Sequence, residues 1–118
     1  MEDRFAISLL LDFYGELLTE KQKKIMDLYY NEDFSLAEIA EINETSRQAI
    51  HDTIKRCYKL LMTYETKLKL LEKSLRLSSD IKIICDKLEN LQKGFDSTEE
   101  NYIEIENIKN ILLKDINI

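Results

Sequence analysis

Proline is missing from all 118 residues, and glycine occurs only twice, at Gly15 and Gly94. A β-rich chain needs a tight turn roughly every ten residues, and those turns are built largely on Gly, Pro, Asn-Gly or Asp-Gly. Their scarcity, with Leu, Ile, Lys and Glu filling the rest, predicts an all-α fold. The length suits one small domain with a helical extension.

Local signals divide the chain into helices. Phe5, Ile7, Leu9, Leu10, Phe13, Tyr14, Leu17 and Leu18 make a broad apolar face on a first helix, with Gly15 in its interior. Thr19 followed by Gln22, and Ser35 followed by Glu38, are capping boxes that open a second and a third segment. Asn31-Glu32-Asp33 separates them. Asn43-Glu44-Thr45 forms a tight connector, and Ser46 caps the next helix. That helix has no evident stop before Ser78-Ser79-Asp80. Ile54, Cys57, Leu61, Tyr64, Leu68, Leu71 and Leu75 step along it by threes and fours, which is a heptad seam. The seam wants a partner helix, from this chain or from a second copy. As a homodimer seam it comprises Ile54, Leu61, Tyr64, Leu68, Leu71 and Leu75. A helix from Ile81 to Lys93 with Gly94 as its C-terminal cap, and a last helix after Asp96-Ser97-Thr98-Glu99, complete the chain. The tail after Lys114 is expected to fray. The expected division is a domain over 1–76 and a helical extension over 77–118 that packs on it or on a partner.

The stretch with functional content is Phe34-Ser-Leu-Ala-Glu-Ile-Ala followed by Thr45-Ser-Arg-Gln-Ala-Ile. It reads as a helix-turn-helix within Thr19–Leu61. Ala40 is small where the second helix must cross, and Ala49, Ile50 and Ile54 turn inward. Arg47, Gln48, His51, Asp52 and Lys55 then face outward, at the positions that enter a major groove in such proteins. Arg47 suits guanine and Gln48 adenine, while Lys55 and Arg56 suit phosphate. Two features oppose a DNA reader. Asp52 on the outward face repels phosphate. Glu44 stands where Gly or Asn usually takes a left-handed conformation, at a cost of about 1 kcal/mol. A helix-turn-helix kept only as a scaffold is the competing reading.

Three segments, Leu11-Asp-Phe-Tyr-Gly-Glu-Leu-Leu-Thr-Glu-Lys-Gln, Leu28-Tyr-Tyr-Asn-Glu-Asp-Phe-Ser-Leu-Ala-Glu-Ile-Ala and Ser46-Arg-Gln-Ala-Ile-His-Asp-Thr-Ile-Lys-Arg, carry a family resemblance. Over roughly residues 5–75 the chain resembles the YlxM family of Gram-positive bacteria, whose members are similar to region 4 of sigma factors. The gene of such proteins typically neighbours that of the signal recognition particle GTPase. The resemblance implies a regulatory or adaptor role in the signal recognition particle pathway, with the particle's protein or its RNA as partner. A sequence-specific DNA-binding regulator is the alternative. On these readings the nucleic-acid-binding residues are Arg47, Gln48, His51, Lys55 and Arg56.

The overall charge of −6 argues against a protein that simply coats nucleic acid. Its distribution is uneven. Residues 46–76 carry 8 basic and 3 acidic side chains, while 1–45 carry 4 and 11, and 77–118 carry 5 and 9. The basic middle either attracts phosphate or pairs with the chain's own acidic helices. Tyr29, Tyr30, Tyr58 and Tyr64 either stack on bases or fill the core. Catalysis is not expected. His51 is the only histidine, and no Gly-rich phosphate loop or matched nucleophile is present. Neither a metal, a cofactor nor a small-molecule substrate is expected: there is no C-x-x-C, and His51 and Cys57 lie on different helix faces. The acidic Met1-Glu-Asp-Arg-Phe start and the lack of an apolar run of about 20 residues predict a cytoplasmic protein without membrane insertion. Cys57 and Cys85 are expected to be packed, reduced thiols.

Overall fold

The computed structural model describes residues 3–114, which form six α-helices and one 3-10 turn, with no strand among the described residues. The helices are α1 (Arg4–Tyr14), α2 (Glu20–Tyr30), α3 (Leu36–Ile42), α4 (Arg47–Leu68), α5 (Leu70–Gln92) and α6 (Glu100–Lys114). The chain divides into two compact units, Met1–Leu71 and Glu72–Ile118, a little earlier than the boundary after residue 76 expected from the sequence. The tail expected to fray, after Lys114, lies outside the described residues.

The starts of α2, α3 and α4 follow from side-chain chemistry within four residues. Thr19 Oγ1 accepts the Gln22 N–H at 3.1 Å, and Gln22 Oε1 accepts the Thr19 N–H at 3.0 Å. Ser35 and Glu38 do the same at 3.1 and 2.8 Å. Ser46 Oγ accepts the Ala49 N–H at 3.1 Å. A cap of this kind contributes about 1 kcal/mol. The connector between α3 and α4 is a Schellman turn. The Thr45 N–H reaches the Ala40 carbonyl at 2.9 Å and the Glu44 N–H reaches Glu41 at 3.2 Å. Glu44 holds the left-handed conformation the sequence predicts there, with φ 52°.

The core of this unit is assembled from one stripe of each helix. Ile7, Leu10, Leu11 and Tyr14 of α1 meet Ile25, Met26 and Tyr30 of α2, Ile39 and Ala40 of α3, and Ile50, Ile54, Cys57 and Leu61 of α4. Phe5 and Leu17, expected on the apolar face, are exposed instead. Gly15 ends α1 with φ −56°, and a Cβ there would come only as near as 3.4 Å to the flexible Lys23 chain, so no close helix approach depends on it. The Arg4 guanidinium sits 4.8 and 5.2 Å from the Tyr29 and Tyr30 ring centres, donates to the Tyr29 carbonyl, and pairs with Asp33 at 3.3 Å. These contacts tie the start of α1 to the end of α2. Cys57 is fully buried, and that burial raises its thiol pKa.

The uninterrupted helix expected to run from Ser46 to Ser78 does not form. It ends at Leu68, Lys69 turns left-handed at φ 57°, and α5 restarts at Leu70. The cause is a tertiary cap. The buried Tyr14 hydroxyl donates to Glu65 Oε1 at 2.6 Å and accepts the Leu70 N–H at 3.0 Å. Glu65 Oε1 also accepts the Leu71 N–H at 3.1 Å. The first two amides of α5 are thereby satisfied without a preceding helical turn. Burial, with the Glu65 carboxylate second, raises the Tyr14 phenol pKa, so it stays a donor. The break also divides the heptad seam. Ile54, Leu61 and Leu71 are spent in the core of their own chain, Tyr64 is half-buried against the Tyr14 ring at 5.9 Å, and Leu68 and Leu75 are exposed. The central residues of the seam expected along Ile54–Leu75 thus pack within their own chain.

In the second unit α5 passes through Ser78-Ser79-Asp80 without a break. The small propensity cost of these residues, about 0.5 kcal/mol each, is less than that of nucleating a new helix. Gly94 has no positive φ and is not a left-handed cap. The α5–α6 pairing is polar at its closed end. Buried Gln92 donates to the Tyr102 carbonyl at 3.2 Å and to Glu106 at 2.9 Å, and accepts from Lys109 Nζ at 3.0 Å. Lys109 also pairs with Glu106 at 3.3 Å and Glu89 at 3.6 Å. Ile81 and Cys85 of α5 are buried, whereas α6 buries no side chain fully.

Two outcomes follow. Tyr14→Phe removes both bonds of the hydroxyl and is expected to cost about 1–3 kcal/mol in urea unfolding, whereas an unchanged midpoint would show that the cap carries no stability. The Ser35 backbone N–H holds the Glu38 carboxyl below its ordinary value of 4.5, Lys23 does so for Glu16, and Gln92 and Lys109 do so for Glu106. Depressed carboxylates contribute stability that is present above the unfolded value and lost as pH falls through the folded one. Helicity followed by circular dichroism is expected to become easier to melt below about pH 4.5, and a melting temperature flat from pH 6 to 3 would contradict this.

Candidate nucleic-acid interface

α4 exposes one long arc of side chains, because its opposite face is fixed in the core by Ile50, Ile54, Cys57 and Leu61. With 3.6 residues per turn, Arg47, His51, Lys55 and Lys59 climb one edge of that arc at steps of four, and Gln48, Asp52 and Arg56 climb beside them. All seven are exposed. The five residues expected from the sequence, Arg47, Gln48, His51, Lys55 and Arg56, therefore share one surface. Ser46, Arg47 and Gln48 are all exposed, so the start of this helix is open to solvent.

Asp52 sits in the middle of the arc and is engaged. Its Oδ1 accepts from Gln48 Nε2 at 2.9 Å and lies 3.8 Å from His51 Nδ1. Gln48 is thus held along the helix rather than projecting freely, and the local positive field is reduced. Glu38, Glu41 and Glu44 of α3 and the connector are also exposed.

Beside the cationic edge runs a groove that sequence reasoning missed. Tyr29, Leu36, Ile54 and Tyr58 form an apolar floor, with the His51 imidazole and the Lys55 and Lys59 ammonium groups at the rim, around a volume of about 420 Å³. It continues toward the helix start as a hollow between Leu36, Arg47, Gln48 and His51. Lys59 was within reach of the sequence, four residues beyond Lys55. Tyr29 and Leu36 were not, since only packing of α2 and α3 on α4 brings them there. Of the four tyrosines considered for stacking, Tyr29 and Tyr58 line this groove. Tyr30 is buried, and Tyr64 packs on Tyr14. No group of three or more metal-ligating side chains, and no helix long and apolar enough to cross a membrane, occurs among the described residues.

Fold and surface together define a helix-turn-helix protein whose second helix is open to solvent. The chain belongs to the UPF0122 family, the YlxM / p13 like helix-turn-helix proteins, whose model matches residues 1–108. The match reaches well past the segment to residue 75 that carried the resemblance and takes in most of the second unit. The chain is 55% identical over 103 residues to a UPF0122 protein of Clostridium botulinum, covering 87% of this chain and 92% of the relative. It is 48% identical over 116 residues to one of Clostridium kluyveri, covering 98% and 100%. A UPF0122 protein of Clostridium acetobutylicum is 59% identical over 88 residues, covering 75% and 76%.

Asp52→Ala removes the one negative charge within the arc and frees Gln48. The variant is expected to elute from a heparin column at higher salt, with an affinity gain of about fivefold at low salt. Unchanged or earlier elution would mean that the arc does not meet the polyanion.

Proposed function

We propose that this chain is a regulatory adaptor of the signal recognition particle pathway, working by contact of the α4 arc and its groove with the particle's protein or RNA. The observation that carries the surface is the row Arg47, His51, Lys55 and Lys59 beside the groove floored by Tyr29 and Tyr58. The pathway comes from the family resemblance. The chemistry of the groove suits a polyanion that also offers flat or apolar groups, since the rim supplies cations and the floor supplies aromatic faces. No step of catalysis is assigned to the chain.

A second reading, sequence-specific DNA binding, is favoured by the position of Arg47 and Gln48 at the start of a capped second helix, where helix-turn-helix proteins touch base edges. The Gln48–Asp52 bond weighs against it.

The test is a pull-down of the particle protein, its receptor and its RNA, with GTP turnover measured alongside. At least one of them is expected to bind, and Lys55→Ala with Lys59→Ala is expected to weaken that binding about tenfold or more. No association with any of the three and no change in GTP turnover would refute the reading. Binding to one DNA sequence that is lost with Arg47→Ala or Gln48→Ala would establish the second reading instead.

A further inference from the structure

The second unit leaves an ordered apolar stripe uncovered. Leu77, Ile84 and Leu91 of α5 recur at intervals of seven and are 56%, 42% and 61% exposed. They lie beside, not within, the row that is already covered: Ile81, Cys85 and Gln92 are buried, and Leu88 is half-buried. With 3.6 residues per turn the two rows are roughly 70° apart on the helix. A spacing of seven holds the three residues within about 40° of one another on the helix, a narrow seam of the width that a partner helix covers. A hairpin of two helices buries little on its own, and hairpins of this kind commonly complete their core by pairing into four-helix bundles.

We infer that this stripe is the contact between two copies of the chain, with α5 of one copy lying antiparallel to α5 of the other about a two-fold axis at Ile84. The sequence around the axis is self-complementary. The axis sets Ile84 on Ile84 and Leu77 against Leu91 of the second copy. It also brings Asp80 alongside Lys87 of the second copy, twice. Both charged residues flank the stripe on the same side, both are exposed, and neither has an ion-pair partner among the described residues. A parallel two-fold arrangement would put this flank of the two copies on opposite sides of the seam and leave Asp80 and Lys87 without a counter-charge, so the charges favour the antiparallel one. This contact surface is separate from the Ile54–Leu71 packing inside the first unit and from the α4 arc.

The experiment is sedimentation equilibrium on the full chain over a wide concentration range. The wild type is expected to associate to a dimer. Ile84→Glu and Leu91→Glu, both at exposed positions and so expected to keep the circular-dichroism spectrum, should each raise the dissociation constant about thirtyfold or more. Asp80→Lys alone and Lys87→Asp alone should each weaken self-association, because like charges then meet twice across the axis. Mixing the two variants should restore a dimer that contains one of each. A wild type that stays monomeric at millimolar concentration overturns the inference. So does a dimer indifferent to Ile84→Glu and Leu91→Glu, or a mixture of the two charge variants that associates no better than each alone.

Discussion

The Tyr14 hydroxyl decides where the long helical segment ends. Placed between the Glu65 carboxylate at 2.6 Å and the Leu70 N–H at 3.0 Å, it replaces the helical hydrogen bonding that would otherwise continue α4. Glu65 completes the arrangement by taking the Leu71 N–H. The interruption brings Leu71 into the core with Ile54, Cys57 and Leu61. α4 is thereby fixed along one face, and its outward arc is set by subtraction: whatever the core does not use must face solvent. The cationic row and the groove follow from that orientation.

The helix-turn-helix needs a second condition, a tight connector that lets α3 and α4 cross over Ala40. The Schellman bonds from Glu44 and Thr45 provide it, with Glu44 in a conformation that Gly or Asn takes at lower cost. A left-handed glutamate is retained because Ile39, at zero exposure, and Ile50, at 1%, are packed on either side of the turn. Burial of each such side chain contributes roughly 1.5–3 kcal/mol, which exceeds the local backbone cost of about 1 kcal/mol.

What was legible in the sequence was local. The Thr19, Ser35 and Ser46 caps, the Asn31–Asp33 break and the left-handed Glu44 all rest on interactions within a few residues, and the structure contains each of them. The end of α4 was not legible, because its determinant, Tyr14, lies far away in the chain and reads as an ordinary apolar-face residue. Ser78-Ser79-Asp80 misled for the opposite reason: its residues resemble a cap, yet nothing nearby competes with the helix. At the candidate site the charged residues could be placed by helical spacing alone. The groove could not, since Tyr29 and Leu36 reach it only through packing, and the bond that ties Gln48 to Asp52 is a rotamer choice.

The outward arc of α4 is the proposed working surface. Amide chemical-shift mapping of the labelled chain, titrated with the particle RNA and, separately, with the particle protein, tests this most directly. Perturbations concentrated on Arg47–Lys59, with Tyr29 and Leu36 beside them, are the predicted result. Saturable binding whose perturbations bypass α4 and gather on α1 or α6 would contradict it.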